Sequence, residues 1–178
     1  QIVEQGSGIF NLNRSPIGLY VSTRDTSKYR IAIAQLYSLI QDNGGELLWN
    51  PESADVSLRI GVPNKSRTFK KICKSRDVLP DQKIGEEGYI LSILKDEIII
   101  AANDAKGVFY GVQTLRQLSR GSSDKAVHCL KIIDWPSLKY RGLMDDISRG
   151  PVPTKAFMKK QIRRLSEMKY NLFSHYVE

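Results

Sequence analysis

Cysteine, histidine and long apolar runs are what this chain has least of. Its 178 residues include two cysteines and two histidines. Cys73 and Cys129 show no CxxC spacing and no flanking histidine cluster. That pattern argues against a structural zinc site and against a disulfide-dense scaffold, and it leaves the redox compartment open. No window approaches the roughly 20 consecutive apolar residues of a membrane-spanning helix. The longest apolar runs are segments such as Ile98-Ile99-Ile100-Ala101-Ala102, so no membrane-spanning helix is expected. Gly107 and Gly111 lack the following Lys and Ser/Thr of a phosphate-binding loop. No cofactor and no metal is implied. The first residue is Gln1 rather than Met, so the lack of a targeting segment excludes nothing.

What is present is a globular composition, 41% hydrophobic and 26% charged, with a net charge of +8. It allows one good core and the start of a second. The charge is uneven: residues 61–86 hold seven Lys/Arg against three Asp/Glu, and residues 134–178 hold nine against five. Basic surfaces attract polyanions, but no nucleic-acid-binding motif accompanies these. A solvated surface with no nucleic-acid partner is the preferred reading.

Residues 16–22 (PIGLYVS) read as a strand bounded by turn formers. From Thr26, a candidate N-cap, Tyr29, Ile33, Leu36, Tyr37 and Ile40 recur at helical spacing until Asn43-Gly44-Gly45 supplies a left-handed stop. Residues 55–61 alternate, placing Val56, Leu58 and Ile60 on a buried face and Ser57 and Arg59 on a wet one. Residues 64–85 lack sustained periodicity and read as a mobile excursion with one helical turn near Phe69 to Cys73. Residues 89–94 and 97–102 form a hairpin across Lys95-Asp96, where the core of the first domain is expected.

Asn103 or Asp104 then caps a helix with Val108, Val112, Leu115 and Leu118 on one stripe, ended by Gly121. Glycine inside a helix costs about 0.5–1 kcal/mol relative to alanine, so Gly107 and Gly111 need a reason. Either the helix backbone approaches a sheet closely there, or the helix begins after Gly107. Residues 127–133 form another alternating strand, broken by Asp134-Trp135-Pro136.

The break divides the chain into domains 1–134 and 135–178. In the second, residues 140–144 read as a strand. Thr154 caps a helix with Met158, Ile162, Leu165 and Met168 on one side, and residues 171–177 form a second strand. The order β-α-β fits one parallel crossover unit. Such a unit wants neighbours on both edges, and the chain is expected to stop inside a larger α/β domain. The fold class is therefore α/β: an α+β domain with a mainly antiparallel sheet and helices on one face, followed by the first β-α-β unit of a TIM barrel.

Glu87-Gly88-Tyr89, the string Gly107-Val108-Phe109-Tyr110-Gly111-Val112-Gln113-Thr114-Leu115, Asp134-Trp135-Pro136 and Tyr140-Arg141-Gly142 occur in order. In order and spacing they resemble the β-N-acetylhexosaminidases of glycoside hydrolase family 20, over roughly residues 15–178. The resemblance implies a secreted or periplasmic hydrolase acting on an N-acetylated glycan. Its mechanism would be substrate-assisted and retaining, the sugar's acetamido oxygen attacking its own anomeric carbon. The Asp-Glu pair that such enzymes use would lie beyond Glu178, so the chain alone is expected to be inactive.

Asp145 and Asp146 are not read as that pair, because neighbouring strand residues point to opposite faces. The family pattern R-G-x-x-x-D-x-S-R falls on Arg141, Gly142, Asp146, Ser148 and Arg149. By resemblance Arg141 binds ring hydroxyls of the terminal sugar. The alternative is that it pairs with Asp145 or Asp146. Asp146 and Arg149 are expected to hold the loop together. His175 is read as a hydrogen-bonded packing residue, and Tyr20, Tyr29, Tyr37, Tyr89, Phe109 and Tyr110 as buried rather than as a sugar platform.

The chain departs from the pattern at Asp145, at Gly150-Pro151 and at Ser174-His175-Tyr176, which puts the substrate rather than the fold in question. Two rival readings stand beside the hydrolase: a self-sufficient carbohydrate-binding or assembly module, and polyanion binding through residues 64–85. Self-association through the open barrel edge is expected as well.

Overall fold

The structure is a computed structural model that describes residues 1–122 and 124–178. Among these the order is β1 (Ile2–Asn11), β2 (Ile17–Val21), α1 (Arg30–Asp42), β3 (Leu47–Trp49), β4 (Val56–Gly61), α2 (Arg67–Ser75), β5 (Tyr89–Ile93), β6 (Glu97–Ala102), α3 (Ala105–Arg120), β7 (Ala126–Asp134), β8 (Gly142–Asp146), α4 (Lys155–Glu167) and β9 (Leu172–Tyr176). The chain divides into two compact units, Gln1–Trp135 and Pro136–Glu178.

In the first unit one sheet runs β1-β7-β5-β6-β4-β2-β3. The pairs β1·β7, β7·β5 and β5·β6 are antiparallel, and β6·β4, β4·β2 and β2·β3 are parallel. The α+β class stands, but the sheet is evenly mixed rather than mainly antiparallel. The link from β2 to β3 passes through α1, a crossover that brings β3 back parallel to β2, whereas α2 joins β4 to β5 and the β5–β6 hairpin then turns β6 parallel to β4.

Strand alternation sends side chains to two faces. On one, Leu58, Leu91, Ile98 and Ile100 pack with Leu36 and Ile40 of α1 and Val108, Val112 and Leu115 of α3. Complete burial of each such side chain stabilises the fold by about 1.5–3 kcal/mol. On the other face Ile90, Ile99 and Ala101 meet Phe69 and Cys73 of α2 and Val78. Helices therefore cover both faces. Residues 64–85 are not a loose excursion but contain this covering helix, whose Ser66 cap accepts a hydrogen bond from the Phe69 N–H. Nor is the polar face of β4 wet: Ser57 is buried, and Arg59 lies over the Tyr20 ring, 4.2 Å from its centroid, while donating to Glu97.

Helix ends follow local chemistry. Thr26 precedes a 3-10 turn, Ser27–Tyr29, and makes no side-chain cap bond, so α1 begins later, at Arg30. The left-handed stop falls on Gly44, φ +85°. Asp104 caps α3 by accepting from the Lys106 N–H, so the helix starts before Gly107 and both glycines are interior. Two strands lie where no element was read, β1 and the three-residue β3.

In the second unit β8 and β9 pair in parallel, Gly142 opposite Leu172 through Asp146 opposite Tyr176. Thr154 caps α4, accepting from the Phe157 N–H at 3.3 Å. The inward stripe of α4 differs from expectation. Met158, Gln161 and Leu165 are half-buried, whereas Ile162 and Met168 are exposed. Leu143, Asp145, Phe173 and His175 form the half-buried face of the strand pair, and Met144, Asp146, Leu172 and Tyr176 the exposed one.

Candidate functional site

The motif residues of the first unit converge on one piece of packing. A Cβ on Gly107 would lie 2.3 Å from the Gly88 carbonyl oxygen and 2.8 Å from the Ala102 Cβ; one on Gly111 would lie 2.4 Å from the Ile100 side chain and 3.2 Å from the Tyr89 ring. Both glycines thus let α3 lie directly on β5 and β6, which explains their place in a helix. One turn further on, the Thr114 hydroxyl is 2.6 Å from the Tyr89 hydroxyl, which donates to Asp134 at 2.8 Å. With the single tyrosine proton directed to Asp134, the Thr114 hydroxyl donates to the tyrosine oxygen. Burial raises the Tyr89 pKa well above its ordinary value, keeping the phenol protonated as that geometry requires.

Gln113, almost wholly buried, ties α3 to α1 by donating to Gln35 at 2.5 Å and accepting from Arg116 at 2.9 Å. These are fold-closing contacts and carry no reaction chemistry. The six aromatic side chains considered for a sugar platform are all buried or half-buried. Cys73 is fully buried, and burial pushes its thiol up to about 12, which leaves it unreactive.

The second unit holds the polar residues singled out in the sequence, Arg141, Asp145 and Asp146. Arg141, just before β8, is clamped. Its N–H donates to the Asn171 Oδ1 at 2.9 Å, its Nε to the Lys169 carbonyl at 2.8 Å and its Nη1 to the Leu138 carbonyl at 2.7 Å. Asn171 completes the clamp, donating from its backbone to the Arg141 carbonyl at 2.9 Å and from Nδ2 to Lys139 at 2.8 Å. Asn171 received no role from sequence reasoning. No sequence signal marked it, since the strand expected over residues 171–177 includes Asn171, whereas β9 begins at Leu172 and leaves its short amide to satisfy backbone groups of a neighbour.

Asp145 and Asp146 stand on opposite faces of β8, one half-buried and one exposed, so they do not converge on a common atom. Asp146 accepts from the Ser148 N–H at 2.9 Å and from its hydroxyl at 2.5 Å, and these bonds lower its pKa. Arg149 reaches Glu178 at 3.6 Å instead of Asp146, so the expected loop-holding pair is replaced by the local Asp146–Ser148 bonds and the Arg149–Glu178 contact. His175 packs edge-on against Phe173, ring centroids 4.7 Å apart, but its Nδ1 is enclosed without a hydrogen-bond partner. It packs as expected without the hydrogen bond. His128 is exposed.

Residues 17–135 match the description Glycosyl hydrolase family 20, domain 2. The chain belongs to glycosyl hydrolase family 20. It is 35% identical over 167 residues to the beta-hexosaminidase subunit beta of Entamoeba histolytica, a match covering 92% of this chain and 27% of that protein. It is 32% identical over 129 residues to a beta-hexosaminidase of Porphyromonas gingivalis, covering 68% and 16%. The chain therefore spans about a quarter or less of the length of these relatives. Among solved structures, the beta-N-acetylhexosaminidase from Bacteroides fragilis superposes with a TM-score of 0.68 at 22% identity, covering 98% of this chain and 31% of that one, a likeness of fold. In this family-20 chain the matched span and the first compact unit both end at Trp135.

Proposed function

We propose that this chain is part of a retaining β-N-acetylhexosaminidase acting outside the cytoplasm. In this reading Gln1–Trp135 is a non-catalytic α/β domain, and Pro136–Glu178 is the first strand, helix and second strand of a (β/α)8 barrel. The supporting observation is the succession itself: a family-20 unit closed by its own motif residues, followed directly by a parallel β-α-β unit. The substrate is a terminal N-acetylhexosamine. Its acetamido oxygen displaces the leaving group, and an Asp-Glu pair outside residues 1–178 orients the acetamido group and carries the proton. The diverging Asp145 and Asp146 do not take that role.

Arg141 contributes hydrogen bonds to the sugar's ring hydroxyls, its guanidinium plane fixed by the Leu138 and Lys169 carbonyls. The exposed Met144, Leu172 and Tyr176 leave a surface through which the 178-residue chain self-associates. A chromogenic N-acetylglucosaminide assay on this chain and on a longer protein extended past Glu178 tests the reading. Turnover by the longer protein alone is the expected result, and turnover by this chain overturns it. Saturable N-acetylglucosamine binding without turnover by either would favour a binding module. In the longer protein Arg141→Lys is expected to lower kcat/KM by about tenfold or more, the loss of one or two charged hydrogen bonds. A change in melting temperature with kcat/KM unaltered would reduce Arg141 to a clamp.

A further inference from the structure

A run of one-sided charge lies on and beside α2. Residues 64–76 hold Lys65, Arg67, Lys70, Lys71, Lys74 and Arg76 and no Asp or Glu. The inner side of the helix is fixed, with Phe69 and Cys73 buried against the sheet. On the outer side Arg67, Lys71 and Lys74 are exposed. Their i, i+4, i+7 spacing sets them on one stripe about 10 Å long.

Several cations of the first unit are paired, Arg14 with Asp96, Arg59 with Glu97, Lys106 with Glu86 and Lys131 with Asp77, and within the basic run Arg76 reaches Glu97. Among the described residues Arg67, Lys71 and Lys74 make no ion pair. Like charges three and four apart on a helix repel. The stripe thus opposes its own helix, a cost that burial of Phe69 and Cys73 offsets but does not explain. A bound polyanion would turn the repulsion into attraction.

We propose that the outer face of α2 docks an anionic polysaccharide, a sulfated or uronate-bearing glycan. No aromatic residue stands on the exposed stripe to stack a base, and its exposed neighbours Thr68 and Ser75 offer nothing apolar to a bilayer. Lysine ammonium groups serve as point charges for sulfate and carboxylate. The choice of glycan over nucleic acid rests on the glycosidase reading; the charge argument does not.

The test is fluorescence anisotropy of a labelled heparin octasaccharide with the 178-residue chain over a series of salt concentrations. The triple change Arg67→Gln, Lys71→Gln and Lys74→Gln keeps good helix formers in place. It is expected to weaken binding about tenfold or more at low salt and to reduce the slope of log affinity against log salt by roughly three. Unchanged circular dichroism certifies the fold. Lys155→Gln, Lys159→Gln and Arg163→Gln on α4, the other basic helix, should leave affinity within about twofold, a change too small to reflect lost phosphate-like contacts. The proposal is overturned if the wild-type chain shows no saturable binding, if the α2 changes leave affinity intact, if the α4 changes weaken it equally, or if a DNA duplex binds as tightly as heparin. Turnover by the longer protein is read separately, so a failed titration leaves the glycosidase reading standing.

Discussion

Leu58, Leu91 and Ile100 in the first unit are fully buried, whereas Leu143 and Leu165 in the second are half-buried and Met144 and Leu172 lie exposed. Both units are rich in strand and helix, and α2, α3 and α4 each carry a side-chain N-cap. The difference is closure. Unit one stacks helices on both faces of a sheet, while unit two has one covered sheet face, one bare face and, among the described residues, no buried side chain. Good local signals suffice to specify a β-α-β unit, but stability comes from apolar area removed from water. The second unit should therefore be ordered weakly unless further structure covers it.

The largest expected effect sharpens that contrast directly. Leu91→Ala should cost the first unit about 3 kcal/mol in urea unfolding, and Leu165→Ala in the second less than about 1 kcal/mol, because a cavity costs only where atoms surround it. Comparable losses would erase the distinction. Next comes the α3 contact: Gly107→Ala places a methyl against the Gly88 carbonyl and should destabilise by about 2 kcal/mol despite its better helix propensity. A stabilising result would mean that α3 does not rest on the hairpin. Smaller again, Tyr89→Phe leaves Thr114 and Asp134 without their shared partner and should cost about 1–2 kcal/mol in the same assay.

Legibility in the sequence follows the same line. The hairpin of β5 and β6 and the α3 stripe were plain because burial there repeats at the period of the element, while the cap was narrowed to Asn103 or Asp104 and the structure selects Asp104. β1 was missed because its outer residues are exposed and its register breaks between Gln5 and Ile9 around Gly6-Ser7-Gly8, which destroys alternation. The two-residue anchor of α2, Phe69 and Cys73, showed only as one helical turn, too short a stripe among lysines to mark a nine-residue helix covering the sheet. β4 looked half-wet because a serine and an arginine read as solvent-facing, although one is buried under α2's side of the sheet and the other is stacked and ion-paired. At the candidate site the divergence of Asp145 and Asp146 was readable from strand geometry. The Arg141–Asn171 clamp was not, since it joins residues 30 apart through backbone carbonyls that no pattern encodes.

The smallest effect concerns the open end of β8. Ser148 holds Asp146 below the ordinary carboxylate pKa, so the interaction is fully present above the unfolded value and is lost as pH falls through the lower folded one. Ser148→Ala should move the Asp146 carboxyl 13C titration midpoint up toward the ordinary value, with little change in unfolding. An unmoved midpoint would show that the turn after β8 is not formed in solution.

The difference between the two units is tested most directly by native-state hydrogen exchange on the intact 178-residue chain. Amides of β5, β6 and α3 should exchange only through global unfolding, while those of β8, α4 and β9 open at much lower free energy and with little dependence on denaturant. Equal protection of both sets, rising and falling together with denaturant, would contradict it.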